Sequence, residues 1–269
     1  MPRECEPAWY LNDMRRGLLV VMLACGSSSA PPPPPAPATI QPTKPARSVR
    51  EEVLAVTHHV YVLSNTGMMT EFRDVIAKAL ALDPIVETGA PLIGATAIAT
   101  TAHAKDVAID VRGEDETQVA RMLRLDTLIT SGSLSAFTAG GNPPPLVLGR
   151  GLAKRLGVKV GDPLDLVVPP SMRRKDFDRV GAWPEEPLVK PFRIVAIYEL
   201  ALGEFDSRIA FTTLAAGMAL ADTDSVGVVA LRLEDPDRAD DIAARLGRAL
   251  GPEYKAESWN ELNKNLLDP

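Results

Sequence analysis

Five consecutive prolines, Pro31–Pro35, divide this chain. A proline fixes φ and lacks an N–H, so a run of them neither continues a helix nor fills a central strand. With Ser27–Ser29 in front and Pro37, Pro42 and Pro45 behind, residues 26–51 read as an extended polyproline spacer. Such a spacer holds a domain away from a surface. The packed fold is therefore expected downstream, over residues 52–267.

Upstream of the spacer, Met14-Arg15-Arg16 precedes the apolar run Gly17–Ala24, which stops at Cys25. A bilayer-spanning helix needs about 20 apolar residues. This run is far shorter and fits the apolar stretch of a secretory signal, with residues 1–25 as the signal region. Met22-Leu23-Ala24-Cys25 resembles a bacterial lipobox, with Met22 where leucine is usual. The resemblance implies lipidation of Cys25, which becomes the mature N-terminus and a lipid anchor in the membrane. Glu4, Glu6 and Asp13 do not suit the basic start of a signal, so translation is expected to begin at Met14.

The chain has 269 residues, 46% of them hydrophobic, enough for a substantial core. Aromatics make up 5%, so that core is expected to be aliphatic. Both cysteines, Cys5 and Cys25, precede the folded part, which leaves it no disulfide, no cysteine-rich metal site and no thiol nucleophile. His58, His59 and His103 do not read as a metal set. The formal charge of −6 argues against nucleic acid as a partner. Ser64, Ser131 and Ser133 lack a G-x-S-x-G context. Gly113–Glu116 reads as a solvated turn, and Glu204 with Asp206 as surface acids paired to Arg193 and Arg208. Nothing assembles nucleophile, base and oxyanion donors, so the chain is expected not to be an enzyme and to use no metal or cofactor.

Val53–Leu63 has the β-branched texture of a strand. Met69, Phe72, Val75, Ile76, Ala79 and Leu80 fall at helical spacing within 68–82, and Asp83-Pro84 ends that helix. Ile85–Thr101 reads as a strand broken near Gly89-Ala90-Pro91. Helix 151–156 closes at Gly157. Val226–Leu233 alternates like a strand. Asp235-Pro236 opens a helix that Gly251 stops near Leu250. Tyr254–Ala256 and a helix over Ser258–Leu267 follow. Both ends thus read strand–helix–strand. An α+β fold is expected, with two βαβ units (52–105 and 226–267) and an inserted β-rich subdomain (106–225).

Three segments carry a family resemblance. Leu146–Asp162 is similar to a G-x-x-L-A-x-x-L-G-V-x-x-G-D signature. Phe192–Tyr198 followed by Gly203–Ser207 is similar to F-x-V-x-G-x-F with an acidic E-x-D after it, Ala196 standing in for the glycine. Tyr254 with Trp259-Asn260 and Asn263–Leu267 is the third. In this order they resemble the periplasmic core domain of MacB/LolC/LolE-type ABC transporter permeases, the FtsX-like family, without its flanking membrane helices. That resemblance implies porter-like βαβ units. It also implies that Pro169–Pro191, with Met172, Arg173, Arg174, Phe177 and Trp183, binds a partner, because this loop position in the lipoprotein-releasing branch hooks a soluble lipoprotein carrier. Arginine and tryptophan are typical interface anchors. The expected function is a lipid-anchored binding or scaffold domain on the periplasmic face of the inner or outer membrane. Its expected partners are a periplasmic lipoprotein carrier or ABC transporter subunits. The alternative is a split or degenerate fragment of a permease for lipoprotein release or MacB-like efflux.

Overall fold

A helix, not a strand, is the first described element. Ser48 Oγ accepts the Glu51 N–H at 3.2 Å while the Glu51 carboxylate accepts the Ser48 N–H at 2.8 Å, a reciprocal capping box. It starts α1, Val49–Val56, so the β-branched run at 53–56 is helical and the strand β1 is confined to Val60–Ser64. The structure is a computed structural model that describes residues 48–65, 67, 69–101, 107–170, 186–201 and 203–264. Cys25, the proline run and Met172, Arg173, Arg174, Phe177 and Trp183 all lie outside the described residues.

The two ends of the described part build one interlocked layer. α2 (Phe72–Leu82) follows β1 and leads to β2 (Val86–Thr100). Near the C-terminus, β9 (Val228–Leu233), α8 (Ala239–Leu250) and β10 (Tyr254–Ser258) repeat the pattern. The strands lie in the order β10-β1-β9-β2, and every adjacent pair is antiparallel. β1 and β2 are therefore parallel with β9 between them, and β9 and β10 are parallel with β1 between them. These are two split βαβ units, each holding a strand of the other. α2 and α8 cover one face, burying Val75, Ala79, Ile242 and Leu246 against Val60, Val62, Val229 and Leu231. Asp235 and Pro236 do start the α8 segment, first as a 3-10 turn over Pro236–Arg238.

The insertion is a barrel. It contains β3 (Val107–Glu114), α3 (Val119–Met122), β4 (Ile129–Gly132), α4 (Leu134–Thr138), β5 (Pro145–Gly149), α5 (Arg150–Leu156), β6 (Pro163–Val168), β7 (Leu188–Tyr198), α6 (Gly203–Asp206), β8 (Ile209–Thr213) and α7 (Leu214–Leu220). Pairing runs β2-β3-β8-β5-β7-β6 and returns to β2 through Ile98↔Val167 and Thr100↔Asp165. Closure satisfies the ladders all round and fills the interior with alternate side chains such as Ala97, Ile109, Leu146, Leu166 and Ile194. β4 is appended outside the ring, on β7.

β2 belongs to both halves, pairing with β9 up to Leu92 and with β3 from Leu92 onward. The expected break at Gly89-Ala90-Pro91 is absent. Pro91 falls just before β3 joins, where the described β2 has β9 alone as a neighbour, and a strand tolerates a missing N–H on such an open side. α7 seats on β3 by backbone contact: a Cβ on Gly113 would lie 2.9 Å from Gly217 Cα. Gly157, at φ 68°, ends α5 as its sequence implied.

Candidate functional site

The candidate partner segment is carried by the β6–β7 hairpin. Six antiparallel pairs run from Pro163↔Arg193 to Val168↔Leu188, so residues 169–187 join two adjacent strand ends on a braced ladder. The expected loop Pro169–Pro191 is thereby shortened, because Leu188–Pro191 already belongs to β7. Alternate residues of the hairpin face outward. Val167 and Val189 are cross-strand partners, and Ile98 of β2 registers with Val167. Their outward side chains form an aliphatic row at the base of the segment. Val189 is 51% exposed.

A separate open groove of about 610 Å³ borders β2 and β3. Val168, Ala95, Val111 and Leu220 supply its apolar lining, and Thr96, Asp110 and Arg112 its polar one. Asp110 accepts from Thr96 Oγ1 at 3.3 Å and pairs with Arg208 at 3.2 Å.

Two acids that the sequence placed on the surface, Asp206 and Glu114, are buried. Asp206 is buried, and its carboxyl faces the start of α5, where it accepts the Gly151 N–H. Burial pushes its pKa up. Arg208 pairs with Asp110, and Arg193 donates to Gly161 O at 3.3 Å. Neither pairs with Asp206. Glu114 is buried too and lies 3.2 Å from His58 Nε2. His59 is buried with Nδ1 accepting the Leu233 N–H at 3.1 Å. Sequence reasoning missed these groups because their partners are distant in the chain. The Glu114–His58 link spans 56 residues. The low polarity around His58-His59 was the available signal. Among the described residues no three His, Cys, Asp or Glu side chains converge to hold a metal ion.

Comparison with known proteins places this geometry in context. The model of the MacB-like periplasmic core domain matches residues 41–249. The chain is 26% identical over 220 residues to the lipoprotein-releasing system transmembrane protein LolC of Xylella fastidiosa, covering 82% of this chain and 50% of that protein. It is 25% identical over 195 residues to the lipoprotein-releasing system transmembrane protein LolE of Haemophilus influenzae, covering 71% and 44%. The chain thus spans about half the length of the curated relatives it matches. The crystal structure of the periplasmic region of MacB from Actinobacillus actinomycetemcomitans aligns with 81% of this chain and 95% of that region, at 10% identity and a TM-score of 0.46.

Proposed function

The chain belongs to the family of MacB-like periplasmic core domains, and we propose that it is a lipid-anchored extracytoplasmic binding domain rather than an enzyme. Cys25 carries the anchor, and the spacer read as residues 26–51 stops before Ser48, because α1 takes up Val49 onward. The segment 169–187, with Met172, Arg173, Arg174, Phe177 and Trp183, engages a periplasmic lipoprotein carrier or an ABC transporter subunit. The observation that carries this reading is the braced β6–β7 hairpin, which flanks the segment with the outward row Ile98, Val167 and Val189. The relatives named as lipoprotein-releasing components support the class of partner. Among the described residues no helix is long and apolar enough to cross a membrane.

Affinity capture of the full chain from bacterial envelopes, followed by mass spectrometry, tests the proposal. Wild type is expected to retain a carrier or transporter subunit, and Arg174→Glu with Trp183→Ala to lose it. Unchanged capture by the double variant removes the segment from the binding site. Cys25→Ala is expected to move the protein from the membrane to the soluble fraction, and continued membrane retention removes the lipid anchor. A second reading, favoured by relatives that are transmembrane subunits, makes the chain the extracytoplasmic part of a permease built from several polypeptides. Stoichiometric co-purification with a multi-helix protein and an ATPase selects it.

A further inference from the structure

Helix α1 is held at its two ends by different halves of the domain. At its N-terminal end, Arg50 pairs with Asp237 and lies 5.4 Å over the ring of Trp259. Trp259 is itself fixed in the split-βαβ half: its backbone N–H donates to His59 O and its indole N–H to Pro236 O, both at 2.9 Å. At the C-terminal end the last carbonyls, normally left to water, are taken by the insertion. Arg124 N–H donates to Ala55 O at 3.1 Å, and the Arg112 guanidinium of β3 donates to Val56 O at 3.0 Å. α1 has no basic residue in its last turn, so Arg112 supplies the positive charge that the helix dipole favours there.

The buried side of α1 is divided in the same way. Val53 packs with Val60, Val62 and Trp259 of the split-βαβ layer. Ala55 and Val56 pack in the cluster of Val119, Met122 and Leu125, which belong to the insertion. A free helix of eight residues is marginal, since its nucleation cost is spread over too few hydrogen bonds. These tertiary contacts therefore hold it, and the loss of either end exposes the rest.

We propose that α1 is a strap that fastens the N-terminal tether to the split-βαβ layer and the barrel at once, and that it opens as one unit. On the proposed reading that Cys25 anchors the chain, the spacer runs into Ser48, so a pull on it acts on the Arg50 end of the strap. Through Val56 O and Arg112 that pull reaches β3 of the barrel as well as neighbouring β1. The strap serves in this way whichever partner the 169–187 segment binds.

The amide of Arg124 is the reporter, because it lies in the insertion yet is protected by a carbonyl of α1. Native-state amide exchange on the full chain in detergent micelles compares wild type with Arg50→Ala. Loss of the cation–π contact and ion pair is expected to speed exchange about three- to tenfold across Val53–Val56 and by the same factor at Arg124. Unchanged β8 amides show that the fold is intact. Acceleration confined to the first turn, with Arg124 at its wild-type rate, overturns the strap. Arg112→Met tests it from the other end, where the Glu52 amide is expected to accelerate with those of Ala55 and Val56. A Glu52 rate equal to wild type overturns it equally.

Discussion

His58 Nε2 and Glu114 Oε1 meet 3.2 Å apart where solvent reaches neither side chain. The pair joins the turn before β1 to the end of β3, one element from each half. Truncating one partner strands the other in the interior, whereas replacing both removes the desolvation cost along with the attraction. Glu114→Leu, which leaves His58 Nε2 buried without this partner, is therefore expected to cost about 2 kcal/mol. The double variant His58→Leu, Glu114→Leu is expected to cost less than the two single changes added together. Urea unfolding of the four proteins measures this, and strict additivity refutes the coupling.

His59 predicts the acid response. Burial comes first and the nearby charge of Arg232 second in lowering its pKa from 6.5 to about 3, and its Nδ1 is already occupied by the Leu233 N–H. The neutral form is the folded form. Below pH 6.5 the unfolded chain takes up a proton that the folded chain refuses, so this residue's contribution is whole above pH 6.5 and shrinks as pH falls toward 3. The loss amounts to a few kcal/mol. Asp206, its pKa raised, acts in the opposite sense, so a difference between variants isolates the histidine. His59→Gln is expected to flatten the fall in stability between pH 6.5 and 4 relative to wild type. Equal slopes contradict this reading.

Gly113 and Gly217 set the seat of α7. A Cβ at Gly113 would lie 2.5 Å from Ile93 Cγ2 and 2.9 Å from Gly217 Cα, and backbone has little room to withdraw. Gly113→Ala is expected to destabilise by about 2 kcal/mol. Gly94 is also in a strand, yet a Cβ there meets nothing within 4 Å. Gly94→Ala is expected to be neutral or to stabilise by up to about 1 kcal/mol. Thermal unfolding distinguishes them, and equal shifts for the two variants defeat the packing argument.

Features that depend on a few neighbouring residues were legible in the sequence. Gly157 ends α5, Asp235-Pro236 opens the α8 segment, and Ser258 Oγ caps the helix that follows by accepting the Glu261 N–H. The strand–helix–strand order at both ends follows from such signals, whereas the interlocking of the two units through β1–β9, β1–β10 and β2–β9 does not. α1 was misread because Val53 and Val56 suggest a strand, although Ser48 and Glu51 spell a capping box nearby. The continuity of β2 through Pro91, the closure at Ile98↔Val167 and the burial of Glu114 and Asp206 all depend on partners far along the chain. No local pattern encodes them. For the candidate site, the anchors Arg174 and Trp183 were singled out by residue type and lie outside the described residues. The aliphatic row of Ile98, Val167 and Val189 became visible only once three strands were in register.

That row gives the last prediction. Val189 is exposed and pairs across the hairpin with Val167, so a charge at position 189 disturbs no core packing. Val189→Lys is expected to change folding stability by less than about 0.5 kcal/mol, as for other surface sites. If a partner covers the hairpin while gripping the 169–187 segment, the same change buries an unpaired ammonium in the interface. The affinity for the captured partner is then expected to fall tenfold or more, a loss of about 1.4 kcal/mol. Surface plasmon resonance against that partner, with thermal unfolding as the control, measures both effects. Wild-type affinity in Val189→Lys would confine the contact to residues 169–187 and leave the aliphatic row outside the interface.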